Sequence, residues 1–219
     1  MAPPRLVVLD VNETLSDLGP MRHRFADAGL AETLVATWFA QVLRDGFSLS
    51  TLGTSSRFAD LGRDVLHDLA PDLDEDAVDH VLAGFSALDL HPDVAPGLRA
   101  FSDAGTTVVT LSNGSTDVAE GLLARAGVRD LVDHVLSVDD VGVWKPHPRA
   151  YAHALRTCDV SPADALMVAV HPWDLHGAAH AGLDTAWITR DPRAWPSAFT
   201  PPTHRAEGLD AVAGLVRDS

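Results

Sequence analysis

The chain is poor in sulfur and almost without lysine. Its 219 residues include one cysteine, Cys158, and one lysine, Lys145, so all the other cationic side chains are arginines. A single cysteine excludes an internal disulfide, and Cys158 lies in a helix-like stretch where plain packing is its expected role. No apolar run approaches the roughly 20 residues that a membrane-spanning helix needs. The start, Met1 to Arg5 followed at once by an apolar strand, lacks the apolar segment and cleavage site of a signal peptide, so a cytoplasmic location is expected. Cations of any kind are few, 16 against 31 acidic residues for a net charge of −15, which excludes nucleic acid and anionic membranes as expected partners. The acidity is spread along the chain, as on a solvated surface. With 46% hydrophobic and 21% charged residues the composition is that of a folded globular protein, and the length suits one domain carrying a smaller insert.

What is present is organised around Leu6 to Leu15, L-V-V-L-D-V-N-E-T-L. A short apolar run that stops at a polar turn reads as a buried parallel strand, and ligands of open α/β sheets gather beyond the carboxyl ends of such strands. Asp10 is placed there, either as a catalytic carboxylate or as a turn-capping aspartate. From Met21 to about Leu90 the pattern is helical: Leu34, Val35, Trp38, Phe39, Val42 and Leu43 recur at spacings of three and four, as do Phe58, Leu61, Val65, Leu66 and Leu69, and then Val78, Val81, Leu82, Phe85 and Leu88. After His91-Pro92, helices and strands alternate. Helices are expected at Ala95–Ala104, near Thr116–Ala126, at Pro148–Thr157 and from His171 to Gly182. Strands are expected at Thr107–Leu111, around His134–Ser137, at Ala165–Val170 and finally at Thr185–Ile188. The pattern predicts a doubly wound parallel α/β sheet, Rossmann-like, formed by 1–15 and 91–219, with residues 16–90 as a small all-helical cap inserted after the first strand.

Four sets of polar groups fall just beyond predicted strand ends: Asp10, the Ser112-Asn113 pair, Lys145 and Asp174. Strand ends of one polarity share an edge of a parallel sheet, so these groups are expected to form one site holding two carboxylates, hydroxyl and amide donors, and one cation. The sole lysine is notable in that company, because an ammonium and a guanidinium are not equivalent in a tight site.

The order and spacing of D-V-N-E-T-L at 10–15, L-S-N-G-S at 111–115, L-S-V-D-D-V-G-V-W-K-P-H-P-R-A-Y ending at Tyr151, and W-D-L-H-G-A-A-H-A-G at 173–182 resemble the haloacid dehalogenase superfamily. Within it the likeness is to the metal-independent type II (L-2-haloacid) dehalogenases. The resemblance implies that Asp10 displaces halide from a short 2-haloacid to give an aspartyl ester, which water then hydrolyses. Thr14, Ser112 and Lys145 would orient and neutralise the carboxylate, Asn113 would contact the leaving halide, Tyr151 would support the site and Asp174 would position or activate water. For Thr14 a capping role stands beside this reading, and for Tyr151 that of a half-buried helical aromatic. The resemblance also implies a homodimer, with the Trp38 and Phe39 stripe on the cap either at its interface or packed on the sheet domain.

Magnesium-dependent phosphatase chemistry, the commoner activity of the superfamily, is the alternative. Against it, position 12 is Asn12 where phosphatases carry a general acid, and position 170 is Val170 where they carry an acidic magnesium support. No cofactor is therefore expected, and Mg2+ belongs only to the alternative, as does a catalytically inactive ligand-binding relative. Two departures from the dehalogenase pattern stand out. Phe39 follows Trp38 where the family carries a substrate-binding arginine, leaving Arg22, Arg24, Arg44 or Arg57 to supply the charge. Leu43, Phe58 and Trp173 still match apolar pocket positions, with core packing as the other reading of Leu43 and Phe58. His171 replaces the usual asparagine. It is read either as a satisfied polar residue or as a base for ester hydrolysis, in which case His171→Ala slows hydrolysis more than ester formation.

Overall fold

Leu6–Leu9 forms strand β1, four consecutive apolar residues with no exposed face. Leu6 and Val8 enter one hydrophobic cluster and Val7 and Leu9 another, as the two-residue period of a strand requires when both sheet faces are covered. The computed structural model describes residues 3–217. After β1 come four helices, α1 (Met21–Asp27), α2 (Leu34–Thr51), α3 (Phe58–Leu69) and α4 (Glu75–Ala83), and a 3-10 turn at Gly84–Ala87. The alternating half follows: α5 (Val94–Asp103), β2 (Thr107–Ser112), α6 (Thr116–Arg125), β3 (His134–Ser137), α7 (Pro148–Cys158), β4 (Ala165–Ala169), α8 (Pro172–His180), β5 (Asp184–Ile188), β6 (His204–Ala206) and α9 (Leu209–Arg217).

The sheet order is β3-β2-β1-β4-β5-β6 with every pairing parallel, which is the doubly wound topology expected. The order reverses between β1 and β4, and the loops after these two strands carry Asp10 and the His171 to Asp174 turn. Side chains of α5, α6 and α9 cover one sheet face; those of α7 and α8 cover the other and share one hydrophobic cluster with the 21–88 helices. The sheet does not end at β5 as the sequence pattern suggested. His204–Ala206 adds a half-exposed edge strand, and α9 returns with Leu209, Val212 and Ala213 buried. Among the described residues no helix is long and apolar enough to cross a membrane.

The helical segment leaves and rejoins the sheet side by side. Asp17 N donates to Asp89 O at 2.9 Å, and His91 N donates to Leu15 O at 2.9 Å. The Trp38 and Phe39 stripe is 0% and 7% exposed, packed within the chain against Phe25, Phe58 and Phe85. The stripe is thus buried largely among aromatics of the helical segment itself, with Phe39 reaching His171 of the sheet domain.

Candidate active site

The segments after β1, β2 and β4 and the loop before α7 deliver the parts of the site. Asp10 leaves β1 with its N–H still bonded to Val168 O at 3.1 Å, which fixes it at the edge between β1 and β4. The following turn is tight: Glu13 has φ +61°, a left-handed conformation that costs a non-glycine residue free energy and that persists where the surroundings enforce it. Here Arg190 enforces it. Its guanidinium donates to Glu13 O at 3.2 Å and to Thr14 O, and is itself held by Asp93 at 2.8 Å.

Lys145 is wholly buried and stands between two carboxylates, its Nζ 2.8 Å from Asp10 Oδ1 and 2.6 Å from Asp174 Oδ2. Thr14 Oγ1 donates to Asp10 Oδ2 at 2.6 Å and accepts from Val170 N at 3.1 Å, so its hydroxyl hydrogen is committed to the carboxylate. Tyr151 is buried, and its hydroxyl lies 2.7 Å from Asp174 Oδ1 and 2.9 Å from Asp174 O. His171, the residue before α8, places Nδ1 3.1 Å from Asp10 Oδ2 and Nε2 2.8 Å from Glu13 Oε2. The result is a continuous row of Glu13, His171, Asp10, Lys145, Asp174 and Tyr151.

The titration of these groups follows from that row. Burial pushes the Asp10 carboxyl up, but Lys145 and then His171 more than reverse this and hold it well below the usual carboxylate range. Burial pushes Asp174 up; Lys145 opposes this, Asp10 adds to it, and the net direction is upward. Burial works against the charged form of Lys145, yet Asp10 and Asp174 carry its pKa above the ordinary value. Burial also opposes the charged form of His171, but its bonds to Asp10 and Glu13 prevail and its pKa is pushed up to about 9. At neutral pH both ring nitrogens are therefore donors. This holds for the free enzyme with Asp10 charged; a base would act in the ester form, where Asp10 carries no charge.

The remaining expected residues fall around this row in different ways. Ser112 does not bond Asp10; its Oγ accepts from Gly114 N at 2.8 Å. Asn113 Oδ1 accepts from Lys145 N at 2.9 Å, so the amide fastens the lysine loop. Phe39 stacks on His171 at 6.2 Å and 30°, and Trp173 lies 5.1 Å from the same ring. Phe58 stacks on Trp144 at 5.9 Å and 11°. Two cavities lie beside this row: one of about 1020 Å³, walled by Glu13, Phe39, Leu43 and His171, and one of about 280 Å³ that reaches Asn12, Phe58 and Ser112.

Of the four arginines considered for the missing charge, Arg44, Arg57 and Arg24 turn to Asp45, Asp60 and His80, while Arg22 lines the larger cavity. Arg190 and Arg193 line it too. Sequence reasoning passed over Glu13, Arg190 and Arg193, although the strand-end rule applied to β5 points at residue 190.

A divalent cation between Asp10 and Asp174 would have to take the place of the Lys145 ammonium. Asp174's other oxygen is claimed by Tyr151, and the neighbouring support position is Val170. These residues do not fit magnesium.

A nucleophile-like aspartate beyond the central strand, a lysine shared with a second aspartate beyond β4, and a helical insert after β1 together define a class. The chain belongs to the haloacid dehalogenase-like hydrolases, whose family profile matches residues 4–182. It is 30% identical to (S)-2-haloacid dehalogenase 1 of Pseudomonas sp. (strain CBS-3), over 99% of this chain and 98% of that one. Among solved structures, a dehalogenase with an intermediate complex superposes with a TM-score of 0.90 at 27% identity, over 98% of each chain. The L-2-haloacid dehalogenase of Xanthobacter autotrophicus with chloropropionic acid covalently bound superposes with a TM-score of 0.87 at 25% identity, over 99% of each chain.

Proposed function

We propose that the protein is a hydrolytic dehalogenase of short 2-haloacids that works through an Asp10 ester without a metal ion. One observation carries this: Asp10 is held ionised by a buried ammonium, a hydroxyl and an imidazolium, while position 12 offers only an amide. A carboxylate nucleophile so arranged suits a leaving group that departs without a proton, and halide is one. The Asp10 carboxylate forms a bond to C2 of the haloacid as the carbon–halogen bond breaks and halide leaves with the electron pair. Water then adds to the Asp10 Cγ of the ester, and the hydroxyacid departs with the oxygen that Asp10 first supplied.

Lys145 and Thr14 orient the carboxylate in this scheme. Asp174, the other carboxylate on the same ammonium, takes the proton of the hydrolytic water, its basicity raised by burial. Tyr151 holds Asp174, and Asn113 holds the lysine loop beside the halide path, with Ser112 shaping the turn behind it. Phe39, Leu43, Phe58 and Trp173 supply apolar walls, and Asn12 faces the smaller cavity. Residues 16–90 act as a cap over the site, joined to the sheet domain through the paired segments near 15–17 and 89–91.

The test is halide release from fluoroacetate, chloroacetate and both enantiomers of 2-chloropropionate. We expect release that survives EDTA and is abolished in Asp10→Asn. Release that requires magnesium, or phosphate release from a phosphate-ester panel in its place, would overturn the reading.

A further inference from the structure

The two oxygens of Asp10 are not held alike. Oδ1 receives one donor, Lys145 Nζ at 2.8 Å, whereas Oδ2 receives two, Thr14 Oγ1 at 2.6 Å and His171 Nδ1 at 3.1 Å. An oxygen with two donors is the weaker nucleophile and the better place for a developing negative charge. Oδ1 is then the oxygen that attacks carbon, and Oδ2 becomes the carbonyl oxygen of the ester. We propose that His171 is a catalytic residue of the hydrolytic half-reaction: its Nδ1–H, together with the Thr14 hydroxyl, forms the oxyanion hole around Oδ2, and Glu13 is the positioning residue that aims the ring. This deepens the dehalogenase reading and rests on it.

The step balances on groups already in place. Water oxygen bonds to Asp10 Cγ, and the carbonyl electron pair moves onto Oδ2, where the His171 and Thr14 donors meet it. One water proton passes to Asp174. The tetrahedral centre then collapses, the Cγ–Oδ1 bond breaks, and the departing alkoxide takes the proton back from Asp174 as the hydroxyacid forms. Asp10, now carrying the water oxygen, loses its remaining proton to solvent.

The surroundings of the ring support a fixed donor. Its far nitrogen is on Glu13 Oε2 at 2.8 Å, and the left-handed backbone of Glu13, clamped by Arg190, is what brings that carboxylate under the ring. Phe39 stacks on one side and Trp173 packs beside it. The charged groups facing it are Asp10 and Glu13 from the loop after β1, Lys145 beyond Asp10 from the loop before α7, and Asp174 on its own helix. Arg190 and Arg193, from the segment after β5, spend their guanidiniums on the carbonyls of residues 13, 14 and 170. A ring between two carboxylates is protonated at neutral pH and loses its proton only in the alkaline range. Esterification removes the Asp10 charge, so the imidazolium of the ester form deprotonates at lower pH than that of the free enzyme.

Direction of pH dependence separates a donor from a base. In single-turnover reactions with chloroacetate, ester formation and decay are followed by intact-protein mass from pH 6 to 10.5. As an oxyanion donor, His171 makes wild-type ester decay slow as pH rises; as a base, it would make decay accelerate. His171→Ala should slow decay by on the order of 100-fold while changing ester formation far less, so that ester accumulates. His171→Asn, which keeps a neutral N–H, should restore part of the decay rate and flatten its pH profile. It also serves if the alanine variant does not fold. Glu13→Gln should move the alkaline midpoint down.

Decay that accelerates with pH, or equal slowing of formation and decay in both His171 variants, would overturn the inference. If wild type formed no ester and released no halide, the dehalogenase reading itself would fail, and with it the half-reaction in which His171 is placed.

Discussion

Lys145 is one side chain on which two buried carboxylates depend. With its Nζ gone, Asp174 would face Asp10 without a counterion of its own while Asp10 kept only His171, and one carboxylate would have to accept a proton or both would drive the site open. Lys145→Met is expected to lower stability by about 3–5 kcal/mol and to abolish halide release. The pH dependence should also change. In wild type the depressed pKa of Asp10 gives stability that is complete above the ordinary aspartate value of 3.8 and is lost as pH falls through its folded value. In the variant a carboxylate's folded pKa is raised further, so stability should increase more steeply as pH falls from 8 to 5 than in wild type, where the raised pKa values of His171 and Asp174 already give the same sign. Thermal melts of both proteins across that range check it. A variant melting within a degree of wild type at every pH would mean that the pair is not coupled through the lysine.

Asp10 and Asp174 were legible in the sequence because they follow β1 and β4, and Lys145, in the loop between β3 and α7, because lysine occurs once. Glu13 was in view within the same motif but had no role, since its reach to His171 comes from a left-handed φ that no residue type announces. The protonated state of His171 was hidden for the same reason: it depends on two carboxylates 158 and 161 positions away meeting one ring.

At the level of elements, the join between α2 and the lysine loop is tightest at Gly46. A Cβ there would lie 2.2 Å from Cε3 of Trp144, the residue before Lys145. Trp144 is further tied to the helical segment by its N–H to Ser50 Oγ at 2.7 Å and its indole N–H to Ser56 O at 3.1 Å. Helix propensity taken alone predicts that Gly46→Ala stabilises by about 1 kcal/mol. The clash predicts the opposite sign, a loss of roughly 1–3 kcal/mol, with kcat reduced because Trp144 must move its neighbour. A melt and a halide assay on Gly46→Ala decide between them.

Most elements could be read from their periodicity, since buried helices and parallel strands leave long apolar patterns. Residues 204–206, His-Arg-Ala, could not: a three-residue edge strand with half-exposed side chains has neither an apolar run nor an alternation to betray it. α9 was different, for Leu209, Val212 and Ala213 have the spacing of a buried helical face, and the sheet was simply expected to stop before it.

Across the whole molecule the net charge of −15 opposes the approach of an anionic substrate. The larger cavity does not reverse that field. Its wall carries Glu13, Asp17, Glu32, Asp191 and Glu207 against Arg22, Arg190, Arg193 and the His171 imidazolium. Several of these cations are already committed, Arg190 to Asp93 and backbone carbonyls, Arg193 to the Val170 carbonyl and His171 to two carboxylates. A haloacetate therefore enters against a repulsion that salt screens, the Debye length falling from about 30 Å at 0.01 M to about 8 Å at 0.15 M. Raising ionic strength over that interval with a non-halide salt is expected to increase kcat/KM for chloroacetate roughly two- to threefold. The rate at which the neutral probe chloroacetamide alkylates Asp10 should change little. The usual sign for an enzyme that steers its anionic substrate is the reverse. A fall in kcat/KM with added salt would show that Arg22 and its neighbours outweigh the global charge at the cavity mouth, and Arg22→Gln would then be the variant expected to abolish the effect.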